Sequence, residues 1–395
     1  MMGKRNKNEA NVGKFEMNRC VRRTAKENMG RIALAAALSV LLMAGCGTMA
    51  PIQSETAVAS ALEATAAATA DSSASAAPET SSSAAAESAT ASASAGTKPM
   101  RGGGGGGVMQ NADTSSITTK HLDVAYATAS ETQKLDIYLP NEGTGPFPVI
   151  VQIHGGAFKS GDKASGELTP ALSGLARGYA VVAVNYRLSG EAQFPAQIND
   201  IKAAIRFVRA NAAQYNLNPD KIATWGGSAG GSLSALAGTS GDVVALQDDS
   251  LGNAGVSDRI QACVDWFGPI FFSDMDAQFA ELGITPVGVT SDANSPESQY
   301  LGQTVGSSAA EELVKQASAM TYISADDPAF FIEHGTADQN IPITQSMNFA
   351  DALKTVLGVD KATFTQLEGA GHGTSEFMTE ENVAKVLDFL DAEMK

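Results

Sequence analysis

Cysteine is scarce in this sequence: only Cys20, Cys46 and Cys263 occur in 395 residues. No two of them stand as Cys-x-x-Cys, so neither a zinc site nor a redox dithiol is encoded. Histidine is as thin, with His121, His154, His334 and His372 far apart and no His-Glu-x-x-His pair. The expectation is chemistry without a metal and without a cofactor. Basic residues are also in deficit. Lys and Arg number 27 against 43 Asp and Glu, a formal net charge of −16. That argues against nucleic acid as a partner, because a phosphate backbone needs a basic face. The apolar run from Ile32 to Met43 is too short to cross a bilayer comfortably, which takes roughly 20 residues.

What the N-terminal region does contain is ordered like an export signal. Residues 1–31 are polar and basic, the apolar run follows, and small residues come next; this is the layout of a secretory signal. Met17 and Met29 are alternative starts. Leu42-Met43-Ala44-Gly45-Cys46 resembles a bacterial lipobox, with Met43 where Leu is usual. The resemblance implies a lipoprotein signal peptide over 1–45 and an acylated Cys46. It places the protein at the extracellular face of the cell membrane, lipid-anchored or else secreted, and touching the membrane through the anchor only. Cys263 would then have no disulfide partner. Residues 46–115 are Ala-, Ser- and Thr-rich and end near a glycine run, Gly102–Gly107. With almost no large apolar side chains, this stretch cannot offset the entropy of ordering and reads as a disordered tether.

From residue 116 to 395 the pattern changes to that of one domain. Leu135–Leu139 alternates apolar and polar residues, as a half-exposed strand does. Val149–Ile153, apart from Gln152, and Ala180–Val184 are apolar, as strands buried on both faces are. Ile222–Trp225, Cys263–Phe267, Ala329–Glu333 and Thr363–Leu367 are further strand candidates. Helical spacing marks 195–213, where Ile198, Ile201, Ile205 and Val208 share a face, and Thr379 with two glutamates opens a last helix. Alternating strands and helices give an α/β, doubly wound, mostly parallel sheet. The stretch 269–325 is irregular and reads as an insertion that covers the site.

The chemistry-bearing motif is Gly226-Gly227-Ser228-Ala229-Gly230. A short apolar strand leads into it and a small-residue helix leads out, the context of a nucleophile elbow. Serine needs a base to act as a nucleophile, and in this arrangement the acid and then the histidine follow the serine. His372, flanked by Gly371 and Gly373 before the last helix, is the expected base, and Asp338, past the end of 329–333, is the expected acid. Asp326 and Asp327 fall at the wrong end of that strand, and His334 reads as structural. The loop His154-Gly155-Gly156-Ala157-Phe158 follows a buried strand. Gly156, Ala157 and Ala229 are the expected oxyanion-hole amides, with His154 as a support. Arg187 and Asp200 are expected to form a structural ion pair beside that loop.

Together these motifs resemble the α/β-hydrolase fold, within its hormone-sensitive-lipase and acetyl-esterase branch. The match is to the bifunctional feruloyl and acetyl xylan esterase domain. Asn185-Tyr186-Arg187-Leu188, Phe194-Pro195-Ala196-Gln197, Asp265-Trp266-Phe267-Gly268-Pro269 and His334-Gly335-Thr336-Ala337-Asp338 carry the resemblance with the motifs above. It implies a serine esterase that removes small acyl groups, acetyl or feruloyl-type, from a small-molecule or polysaccharide ester. Gly227 departs from the Glu common in that family and is also found in prolyl peptidases. An exopeptidase therefore stays open, as does a non-catalytic binding module on the same fold. Nothing in the sequence fixes an oligomeric state.

Overall fold

The structure is a computed structural model that describes residues 110–395. The expected signal segment, the lipidation site Cys46 and the tether up to residue 109 lie outside the described residues. Residues 110–115, assigned to the tether by composition, already belong to the folded unit. Asn111 forms an antiparallel bridge with Ser165, and the Ala112 N–H donates to Ala164 O at 2.9 Å. Backbone pairing of this kind leaves no mark on a small, polar sequence.

Eight strands form one sheet: β1 (Lys120–Ala125), β2 (Lys134–Tyr138), β3 (Phe147–Ile153), β4 (Ala180–Val184), β5 (Leu217–Gly227), β6 (Ala262–Trp266), β7 (Ala329–Gly335) and β8 (Ala362–Leu367). Their spatial order is β1-β2-β4-β3-β5-β6-β7-β8. At one edge β2 runs antiparallel to both its neighbours, β1 and β4, and the remaining pairings are parallel. β1 was not foreseen, since Lys120-His121-Leu122-Asp123 has no alternation to read. β2 differs from its expected half-exposed state: Asp136 is buried with its apolar neighbours. Lys163 Nζ reaches its carboxylate at 2.9 Å and the Asp123 N–H donates to it at 2.7 Å. A buried charge with such partners does not need the solvent face.

The helices are α1 (Thr169–Leu172), α2 (Ala196–Ala210), α3 (Ala229–Thr239), α4 (Met275–Leu282), α5 (Pro296–Leu301), α6 (Glu311–Ala317), α7 (Thr344–Leu357) and α8 (Glu380–Met394). α2 stops short of the expected residue 213, where the Asn211 side chain donates back to Phe207 O at 2.9 Å and the chain turns. α8 begins as foreseen, with Thr379 Oγ1 accepting the Asn382 N–H. Apolar residues of α2, α3 and α7 pack on one face of the sheet. Those of α1 and α8 pack on the other. The sheet is thus doubly wound. The 269–325 insertion holds α4 to α6, and it is tied to the first face by Tyr300, whose ring stacks on Phe158 at 4.0 Å.

The loop after β4 is pinned by the expected ion pair. Arg187 Nε and Nη2 donate to the Asp200 carboxylate at 2.9 and 2.7 Å, the Arg187 N–H adds 2.9 Å, and Gln133 Nε2 adds 2.7 Å. Tyr186, in the same loop, donates its hydroxyl to His154 O at 3.0 Å and so holds the loop after β3. Asp200 is fully buried. Asp200→Ala leaves a guanidinium and an amide without their acceptor, and it should lower the unfolding free energy by about 3–5 kcal/mol in urea melts.

Candidate active site

β5 ends at Gly227 and α3 begins at Ala229, so Ser228 is the entire connection. Its backbone sits at φ 57° and ψ −124°, a region where a non-glycine residue costs roughly 1–3 kcal/mol. The surroundings enforce the bend. A Cβ on Gly226 would lie 2.2 Å from Gly230 O, and one on Gly230 would lie 2.1 Å from Ile153 O. Only glycine lets the strand, the helix and β3 approach this closely. The Ser228 N–H donates to Trp266 O at 2.9 Å, which locks the turn to β6. Its hydroxyl is thereby lifted to the carboxyl end of the sheet, at the start of α3.

His372 arrives from the loop between β8 and α8. Its Nε2 lies 2.9 Å from Ser228 Oγ, and its Nδ1 lies 2.7 Å from Asp338 Oδ2. Asp338 Oδ1 accepts the N–H groups of Asn340 and Ile341 at 2.8 and 3.0 Å. Burial works to raise the Asp338 pKa. The hydrogen bonds from His334 and His372 outweigh it and hold the carboxyl well below the usual carboxylate range. The three residues expected to act together are therefore joined in one hydrogen-bonded row. His334 is structural, as expected, with Nδ1 on Ser346 Oγ at 2.7 Å and Nε2 on Ile341 O at 3.0 Å. It also stands 3.3 Å from Asp338 Oδ2, a contact with no signal in the sequence.

Gly156 and Ala157 lie opposite the serine, in the loop after β3. Ala157 and Phe158 both have left-handed backbones, φ 56° and 59°. Among the described residues, the N–H groups of Gly156, Ala157 and Ala229 have no backbone or side-chain acceptor. Ala229 is at the first position of α3, where the amide has no intrahelical partner. His154 supports the loop as expected, with its ring stacked on Tyr186 at 4.4 Å. Glu167 was missed. Its Oε2 accepts the Gly155 N–H at 2.6 Å, and burial raises its pKa against the pull of that bond. No motif marks it, because its contact depends on a turn just before α1 folding back over the loop.

Two cavities meet at Ser228 and His372. One, of about 450 Å³, is walled by Phe158, Ile341 and residues 287–297 of the insertion. The other, of about 570 Å³, lies over the ends of β3, β5 and β6. Among the described residues no cluster of His, Cys, Asp and Glu has the makings of a metal site.

Residues 135–353, more than half of the chain, match the BD-FAE family. The chain belongs to the BD-FAE family. It is similar to LipM, a probable carboxylic ester hydrolase of Mycobacterium tuberculosis: 34% identity over 237 residues, 59% of this chain and 52% of the relative. The esterase LipQ of the same organism is 31% identical over 259 residues, 63% of this chain and 56% of the relative. The chain thus spans about half the length of these curated relatives. Among solved structures, a truncated carbohydrate esterase from gut microbiota is 33% identical with a TM-score of 0.64, over 72% of this chain and 99% of that one. A bifunctional GH43-CE protein of Bacteroides eggerthii is 35% identical with a TM-score of 0.61, over 70% of this chain and 35% of that one. The BD-FAE match ends at residue 353, before His372.

Beneath the elbow lies a second carboxyl, Asp265 of β6. Its Oδ1 accepts the Gly268 N–H at 2.9 Å, and its Oδ2 has no partner among the described residues. Full burial raises its pKa to about 7, partly opposed by that N–H. A carboxyl raised in the folded state binds more protons than in the unfolded chain, where it titrates near 3.9. Its contribution to stability is therefore greatest below about pH 4, and it falls as pH rises to 7. Asp265→Asn removes that loss. The stability of wild type relative to the variant should drop by up to about 4 kcal/mol between pH 4 and 7, measured by urea unfolding across that range. Parallel profiles for the two proteins would refute the assignment.

Proposed function

We propose that the protein is a serine carboxylic ester hydrolase that removes small acyl groups, acetyl or feruloyl-type, from a plant polysaccharide. The observation that carries the reading is the row Ser228–His372–Asp338, at 2.9 and 2.7 Å, beside cavities that Gly156, Ala157 and Ala229, whose N–H groups have no acceptor among the described residues, also border. His372 Nε2 takes the hydroxyl proton as Ser228 Oγ bonds to the ester carbonyl carbon. Asp338 holds Nδ1–H, fixing the tautomer and stabilising the imidazolium. The carbonyl oxygen becomes an oxyanion received by the Gly156, Ala157 and Ala229 amides. When the carbonyl re-forms, the C–O bond to the alcohol breaks and His372 returns the proton to the departing oxygen. Water then gives a proton to the same nitrogen as its oxygen bonds to the acyl carbon; the C–Oγ bond breaks, His372 returns the proton to Ser228 Oγ, and the acid leaves. The named esterases and the carbohydrate esterase among the relatives support the substrate class.

Ser228→Ala should lower kcat on p-nitrophenyl acetate by roughly 10⁴-fold or more with the fold intact, and Asp338→Asn by about 10⁴-fold through the wrong tautomer. Assays with p-nitrophenyl esters, acetylated xylan and an aminoacyl anilide check this. Activity that survives Ser228→Ala would refute the mechanism, and preference for the anilide would refute the ester.

Export and lipid anchoring at the extracellular face of a bacterial membrane belong to the same proposal, supported by the basic stretch, the apolar run and Leu42–Cys46. Metabolic labelling with an alkyne fatty acid should tag the full chain and not Cys46→Ala. Equal labelling of both would sink the anchor.

A further inference from the structure

We propose that Gly227 is the gate of a subsite for the alcohol half of the ester, and that the subsite takes an uncharged, hydroxylated ring. The proposal rests on the ester-hydrolase reading above and goes further by assigning the larger cavity. That cavity, about 570 Å³, has a floor of Gln152, Trp225 and Trp266, with Gly227 and Glu167 on its walls and Met378 at its edge. Its volume lies within the usual range of small-molecule sites, roughly 300–1,000 Å³.

Three observations carry the assignment. The first is Gly227 itself. Unlike Gly226 and Gly230, it has no backbone atom in the way of a side chain. An added Cβ would crowd the Phe267 ring, at 3.2 Å, and lie 3.9 Å from Trp266 Cβ. Its φ is not positive, so the backbone does not demand glycine either. Phe267 and Trp266 both line the cavity, so a longer side chain here would run into that space. The bend at Ser228 does not need this glycine; a side chain here would press on the Phe267 ring and narrow the cavity that ring borders.

The second is Gln152. It is 4% exposed, and its Oε1 has no partner among the described residues. A buried amide with no partner costs roughly 1–3 kcal/mol, and a ligand hydroxyl would satisfy it. Around it, the rings of Trp225 and Trp266 meet edge to face at 5.0 Å and border the cavity with apolar atoms. Glu167 and Lys159 also border the cavity, so it carries side chains of both signs and favours neither charge.

The third concerns which half of the ester enters. His372, which returns its proton to the alcohol oxygen, borders both cavities. Gly373 and Met378, from the segment just after His372, border this cavity and not the other. The 450 Å³ cavity, beside Phe158 and Ala229, is left for the acyl group.

Three acetates with a common acyl group test the assignment: ethyl acetate, cyclohexyl acetate and a monoacetylated methyl glucoside. In Gly227→Leu, kcat/KM for the two ring esters should fall about tenfold more than for ethyl acetate, with Gly227→Ala in between. Gln152→Leu removes an unpartnered amide from a buried place and should fold. It should lower the glucoside about tenfold relative to cyclohexyl acetate, and it carries the test alone if Gly227→Leu does not fold. Equal factors on all three esters in Gly227→Leu would overturn the cavity assignment. An unchanged glucoside-to-cyclohexyl ratio in Gln152→Leu would overturn hydroxyl recognition. Failure of the ester-hydrolase reading looks different: wild type would cleave none of the three, or Ser228→Ala would remain active.

Discussion

One backbone bend sets the geometry of the site. Ser228 turns the chain from β5 into α3 within a single residue, at φ 57°. The turn is possible because Gly226 and Gly230 lie almost against other backbone atoms, where a methyl group would collide. The strain is held by the parallel sheet on either side: Ser228 N–H is tied to β6, and Gly230 sits against β3. The same bend puts the Ala229 amide at a helix start with nothing to bond. A reactive hydroxyl and a free donor therefore come from one local distortion, which is rigid because it is embedded in the core.

The histidine and the carboxylate reach the serine by a different route. Both lie on loops that leave the carboxyl ends of β7 and β8, so sheet order, not sequence distance, fixes their meeting. β7 carries Asp338 past Gly335, and β8 delivers His372 from the neighbouring position. Asp338 is held by two backbone N–H groups and approached by two histidines, and it is thereby kept ionised in a buried place. An ionised carboxylate is what an imidazolium at His372 requires.

The sequence made this part of the site readable because each element has a local signature. Glycines at close approaches, a strand before them and small residues after them are written in consecutive positions. Buried parallel strands are legible as apolar runs for the same reason: their environment is uniform on both faces. Legibility fails where a contact joins distant segments with no demand on neighbours. Asp136 looked solvent-facing because Lys163, its partner, is 27 positions away. β1 was invisible because an edge strand needs only backbone pairing. Glu167 and Gln152 were missed because nothing near either residue hints at the cavity they share.

That division has a physical basis. Moving a proton and stabilising an oxyanion demand fixed distances between a few groups, and fixed distances demand strained turns and bare glycines, which leave patterns. Selecting a substrate demands a volume and some unengaged polar atoms, and many side chains can bound the same volume. Gly227 stands where the two demands touch. Its neighbours on both sides are glycine or bent because the bend requires it, while nothing in the bend requires glycine at 227. A glycine free of backbone duty lies against the Phe267 ring, which packs on His372 and borders the cavity, so a side chain at 227 would press at once on the catalytic histidine's neighbour and on the space for the ligand.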